Sequence, residues 1–324
     1  MIEYVLFFFF LRFLTEILID NKTGQWLISK HLFSNCSWDA RDKMPSAILE
    51  CLEKHWPNVR LHMREYSTTT RGYEREPSGL RTLSSPLLHT LTYHITQSHG
   101  SIVPIQPTLA RLIPQLHGCR RLQSLTFYFP GSSHPMQLER EPIYHSTTSQ
   151  RSLRDSAPDY QEDDTRLPSS IEQLTISGPW PSQTPEYCKT YADMVDWSRI
   201  TRLYLLSVCP NALLLALSGL VPNLQTLHLS RGQISRGVED FMVNGLVQFL
   251  EGLNKIEEMK LTWDGATKRY IPESVVSRIC QIGGELQYLY FDGYMITPAQ
   301  LRMVNQQCRR LKHFHARGSG SDFG

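Results

Sequence analysis

Apolar residues recur along this chain in triplets, the second three positions after the first and the third two positions after the second. Leu88-Leu91-Tyr93, Leu122-Leu125-Phe127, Ile171-Leu174-Ile176 and Ile200-Leu203-Leu205 follow the rule. So do Leu224-Leu227-Leu229, Ile256-Met259-Leu261, Leu286-Leu289-Phe291 and, more weakly, Leu311-Phe314-Ala316. A shortened relative, Val59-Leu61-Met63, opens the series, since "PNVRLHM" echoes the "PNLQTLHL" that runs from Pro222 to Leu229. Residues two apart lie on one face of a strand, so each triplet predicts a short strand with one apolar edge and polar residues on the other face. The first residues stand 34, 49, 29, 24, 32, 30 and 25 positions apart, and recurrence on that scale signals a stacked repeat architecture.

One strand cannot bury its apolar edge alone. Stacked parallel strands with helices returning on the outside enclose a continuous core. The returns are legible in "PNALLLALSGL" from Pro210, "GVEDFMVNGLVQFLEGL" from Gly237 and "IPESVVSRICQIGG" from Ile271, the last closing on the helix stop Gly283-Gly284. The expected fold is therefore an α/β solenoid, with parallel strands on the concave side and helices outside. It divides into a small N-terminal helical segment over 1–55, first repeats over 56–130, an insertion over 131–170, remaining repeats over 171–317 and a flexible tail over 318–324. The insertion, Gly131 to Ser170, is polar, charged and broken by prolines, which predicts a disordered loop.

The last unit is the most specific. "LQYLYFDGYMITPAQLRMVNQQCRRL" from Leu286 resembles the cysteine-containing class of leucine-rich repeat, L-x-x-L-x-L-x-x-C-x-x-I-T-D-x-x-L-x-x-L-A-x-x-C-x-x-L. Ile296, Thr297, Leu301, Val304, Cys308 and Leu311 fall on that pattern. Tyr294 replaces the first cysteine with one residue fewer before Ile296, Pro298 replaces Asp, and Asn305 replaces Ala. Thr297 followed by Pro298 suits an N-cap and first helical position. Cys119 in "GCRRLQSLTF" repeats the Cys-to-strand junction, and the resemblance covers most of Leu80 to Arg317.

This repeat class is similar to the target-recognition half of F-box proteins, whose N-terminal box binds a ubiquitin ligase scaffold. "FLTEILID", Phe13 to Asp20, resembles the L-P-x-E-I-L opening of that box in a degenerate form, with Thr15 in place of the Pro and no continuation of the pattern in the residues that follow. The resemblance implies a protein target on the concave face and the ligase's linker subunit as a second partner. The alternatives are a stand-alone interaction scaffold with no ligase link, or a hydrolytic or metal-dependent enzyme.

Side chains pointing away from the core would line the concave face. Small polar residues dominate its early strands, as in Thr90, Thr92, Ser124 and Thr175, while the later strands turn to Tyr, His and Arg. Large side chains with a rigid body and a polar tip are favoured as interface anchors. The predicted partner-binding residues are Tyr204, His228, Tyr288, Tyr290, Asp292, His313, His315 and Arg317. The competing chemistry at this spot is a metal chelated by His313, His315 and Asp292. No metal and no cofactor is expected.

Composition narrows the partner. The 324 residues carry 33 basic and 31 acidic side chains, net +2, so no overall field favours nucleic acid or an anionic membrane. Seven cysteines, an odd number without a CxxC pair, favour reduced thiols and a cytoplasmic or nuclear protein over a disulfide scaffold or zinc module. No G-x-S-x-G, P-loop, H-E-x-x-H or dinucleotide fingerprint occurs, and the terminal "DFG" lacks every other kinase element. Val5 to Leu11 forms an apolar run, but Glu3 precedes it and Arg12 and Glu16 interrupt it. It is read as a buried amphipathic helix rather than a signal or a membrane span.

Overall fold

In the computed structural model the described residues are 34–38, 44, 46–67, 81–94, 112–128, 166–178, 185–207, 211–231, 241–263 and 269–318. Ten strands form one open sheet: β1 (Asn35–Trp38), β2 (Arg60–Ser67), β3 (Leu88–His94), β4 (Ser124–Tyr128), β5 (Gln173–Gly178), β6 (Arg202–Ser207), β7 (Thr226–Arg231), β8 (Glu258–Trp263), β10 (Tyr288–Ile296) and β11 (His313–Gly318). They lie side by side in chain order, and every pairing is parallel. A two-residue strand, β9 (Arg269–Tyr270), pairs with the far end of β10.

Every apolar triplet supplies one of these strands, and register stacks the triplets on one another. Leu91, Leu125, Leu174, Leu203, Leu227, Met259 and Leu289 are successive partners across β3 to β10. All seven are at most 1% exposed. Each contributes about 1.5 to 3 kcal/mol by leaving water. In all the three-residue triplets but Leu88-Leu91-Tyr93 the first residue lies just before its strand, closing the turn: the Leu122 amide donates to the Cys119 carbonyl at 3.0 Å and the Leu286 amide to Gly283 at 3.1 Å.

The segments between strands return as helices: α1 (Ser46–His55), α2 (Pro185–Asp193), α3 (Asn211–Leu217), α4 (Val247–Glu251, entered through a π-helical turn at Phe241–Leu246), α5 (Glu273–Ile282) and α6 (Pro298–Gln307). Residues 81–83 and 112–116 are also helical. Apolar residues on these helices are buried in the core, as Leu213, Leu214 and Leu217 are on α3 and Val275, Val276 and Ile279 on α5. Thr297 caps α6 as expected: its hydroxyl accepts from the Gln300 amide at 3.2 Å while the Gln300 side chain accepts from the Thr297 amide at 2.9 Å.

Two boundaries differ from the sequence expectation. The segment 1–55 is not wholly helical, because β1 stands at the sheet edge beside β2 before α1 begins. "NCSW" escaped detection because its only large apolar residue is Trp38, so it holds no triplet. The insertion stops short of Ser170. Leu167 is 6% exposed, its amide donates to Met194 at 2.7 Å, and the Ser170 hydroxyl donates to the Leu122 carbonyl at 2.8 Å. A lone Leu amid polar residues gave no sign of this anchoring. Residues 131–165, Phe13–Asp20 with the apolar run before it, and the tail 319–324 lie outside the described residues. Among the described residues no helix is long and apolar enough to cross a membrane.

Candidate functional site

The face of the sheet opposite the core is a grid fixed by register. Its central row runs Thr92, Thr126, Thr175, Tyr204, His228, Lys260, Tyr290 and His315, each the direct partner of the next. The row before it runs Thr90, Ser124, Gln173, Arg202, Thr226, Glu258, Tyr288 and His313. Parallel pairing without slippage places like positions of successive repeats about 4.8 Å apart, so their side chains touch.

Seven of the eight predicted residues fall on this grid, in two groups. Tyr204 meets His228 edge-on, ring centroids 4.7 Å apart at 86°, and His228 Nε2 lies 2.9 Å from Glu258 Oε1. Burial, then the Glu258 carboxylate, raises the Tyr204 phenol above its ordinary range, so it remains a neutral hydrogen-bond donor. On the other two strands Tyr288 stacks on His313 at 5.1 Å, Tyr290 stands opposite His315, and Asp292 lies one row further along, opposite Thr262. Lys260 joins the groups, being the direct neighbour of both His228 and Tyr290.

The backbone of Arg317 pairs differently from an unbroken strand. Between Phe291 and Met295 the β10–β11 register shifts, so Arg317 pairs with Met295 instead of facing Asp292. Gly293, at φ 78°, lies inside the shifted stretch. Lys260 and Glu258 did not stand out in the sequence, because their roles come from neighbours about 30 residues away, the spacing of the repeat itself. The early strands are also less bland than their composition suggests: His94 and Tyr128 pack at 4.9 Å, and Tyr128 is 41% exposed.

Among the described residues the interior is closely packed. The space enclosed by Ile113, Phe127, Leu174, Trp197 and Leu213 amounts to about 20 Å³, room for little more than one water. Among the described residues no group of three or more His, Cys, Asp and Glu could hold a metal, so Asp292, His313 and His315 do not converge on one. Cys280 and Cys308 approach to 4.0 Å between sulfurs, both buried, and Cys119 donates to the Leu83 carbonyl at 2.7 Å; these thiols sit in the packing between repeats. Compared with protein-family models and with curated proteins, the chain matches none.

Proposed function

We propose that this chain is a leucine-rich-repeat-type solenoid whose concave sheet face holds another protein. The single observation that carries this reading is the continuous row Tyr204, His228, Lys260, Tyr290 and His315, in register and at least partly exposed. Such a surface carries Tyr204 and Tyr290, rigid rings with polar tips of the type that anchors protein interfaces. These side chains lie side by side along the strands of an open sheet, an arrangement that suits a broad protein contact better than catalysis on a small substrate.

The adaptor role rests on the resemblance of the repeats to F-box target receptors and on Phe13 to Asp20. In that role the N-terminal segment holds the linker subunit of a ubiquitin ligase while the face holds the protein to be modified. Co-precipitation separates the two readings. Recovery of the linker subunit by the full chain, lost on replacing Leu14 and Ile17 by Asp, supports the adaptor. Failure to recover it, beside an F-box control that succeeds, leaves a stand-alone scaffold. Affinity purification with mass spectrometry then identifies the target, and its retention by Tyr290→Ala with His315→Ala would contradict the assignment of the face.

A further inference from the structure

The motif Cys-Arg-Arg-Leu occurs twice, at Cys119–Leu122 and at Cys308–Leu311, each time leading into a strand at the same turn of its repeat. In the later copy Arg310 forms an ion pair with Glu285, which occupies the equivalent turn one repeat earlier. Beside the earlier copy that turn position is Leu87, which brings no carboxylate. Arg121 donates instead to the Pro57 carbonyl at 2.8 Å, and Arg120 forms no ion pair among the described residues.

The same edge of the sheet gathers more unneutralised charge. Arg60, Arg120, Arg121 and Arg199 line one cleft of about 450 Å³ together with His89, the amides of Asn58 and Gln123, the hydroxyls of Ser169 and Ser170, and a single carboxylate, Glu172. A second cleft of about 300 Å³ shares Glu172 and Arg199 with the first and adds Lys255, Asn223 and Gln225. Arg60, Arg199 and Lys255 also form no ion pair among the described residues. Burial, and after it the Arg60 guanidinium, hold the His89 imidazole below its ordinary range. With the whole chain at only +2, this concentration is local.

Backbone amides along the edge are already committed. Gln123 donates to His89, Glu172 to Gln123, Thr201 to Glu172 and Gln225 to Thr201, at 2.8 to 3.0 Å. What the clefts offer a ligand is therefore side-chain donors, chiefly guanidinium forks that match the paired oxygens of a carboxylate or a phosphate. The cations recur along the edge at β2, β4, β6 and β8, about 10 Å apart at two strand spacings each, so the ligand that fits is extended and carries repeated negative charge.

We infer that the clefts lined by Arg60, Arg120, Arg121, Arg199 and Lys255 form a groove for an extended anionic peptide, in which carboxylates or phosphoserine oxygens take the guanidinium positions. This site lies on the strand-entry edge, apart from the aromatic row of the open face, and does not depend on the reading of that face. A partner engaging both would present an acidic stretch beside the surface that the Tyr and His row covers.

Fluorescence anisotropy on the full chain tests the groove directly, using a labelled peptide rich in Asp and Glu around one serine, in its serine and phosphoserine forms. Binding of either form is expected, and a preference for one identifies the anion. Arg120→Glu with Arg199→Glu should weaken it by about tenfold or more, since two charge-assisted contacts become repulsions. Arg309→Glu, the equivalent of Arg120 in the later copy, should change it less than about twofold, and so should Tyr290→Ala with His315→Ala. These arginines are solvent-exposed, so the variants keep the wild-type circular dichroism and melting temperature. The inference is overturned if neither peptide binds, if Arg309→Glu weakens binding as much as the cleft variant does, or if single-stranded RNA of equal charge binds tighter and is lost with the same cleft variant.

Discussion

Tyr288 and His313 stack face to face, ring planes 7° apart and centroids 5.1 Å apart, although 25 residues separate them in the chain. They meet because β10 and β11 pair in parallel with Tyr288 opposite His313, so the same position of two successive repeats lands on adjacent rungs. The face thus inherits its side-chain contacts from the core: the register that stacks Leu289 on Phe314 beneath the sheet sets the rings above it.

That dependence can be measured. A double-mutant cycle over Tyr288→Ala and His313→Ala should give a coupling energy of about 0.5 to 1 kcal/mol in urea denaturation, the contribution of an aromatic pair beyond its buried area. Additive single effects would mean that the stack adds nothing beyond register.

Leu227 and Leu289 are 0% exposed and both flank Met259 in the central core row. Leu227→Ala and Leu289→Ala should each cost about 2 to 5 kcal/mol through lost burial and an unfilled cavity. Because both touch the same methionine, the double variant should depart from additivity. Denaturation midpoints equal to wild type would show that the row does not carry the core.

Gly293 lies where β10 changes register. Its φ is 78°, and a Cβ there would stand 2.0 Å from the Trp263 carbonyl oxygen. Gly293→Ala combines a left-handed backbone penalty of about 1 to 2 kcal/mol with a clash against the Trp263 main chain. Gly284→Ala is the matched control, since a Cβ there meets nothing within 4 Å. A melting temperature that falls for the first and holds for the second is expected; equal behaviour would remove the steric account of the bulge.

The strands were legible because the triplet rule is local and repeats, and one strand's burial pattern predicts the next. The cap at Thr297 was legible for the same reason: Thr, Pro and Gln300 lie within one helical turn. What the sequence did not disclose depends on more distant relations. β1 lacks the triplet and is recognisable only by its partner β2. Leu167 looks like loop until Met194 and Trp197 close around it. Arg317 was assigned to the patch by counting along an unbroken strand, and the register shift between Phe291 and Met295 changes that count. The cationic edge was invisible because Arg60, Arg120, Arg199 and Lys255 are scattered over four repeats, and overall charge balance conceals them.

The buried thiols give the last test, with a sign that can be fixed in advance. Cys119 is fully buried and donates to the Leu83 carbonyl, and burial pushes its thiol from 9.0 up to about 12. Below the ordinary thiol value both folded and unfolded chains keep this proton, and its contribution to stability is fully present. As pH rises from 9.0 towards about 12 the unfolded chain loses a proton that the folded chain retains, so stability falls through that window. The slope approaches about 1.4 kcal/mol per pH unit for one such group. Tyr and Lys titrate in the same range, so the quantity to measure is the difference between wild type and Cys119→Ala: the variant should lose stability less steeply on the alkaline side. The same burial predicts that at about pH 8 a thiol reagent modifies the exposed Cys51 in the native protein and reaches Cys119 only after denaturant is added. Rapid labelling of Cys119 in the native protein, or parallel alkaline slopes for the two proteins, would show that the turn before β4 opens far more readily than its packing implies.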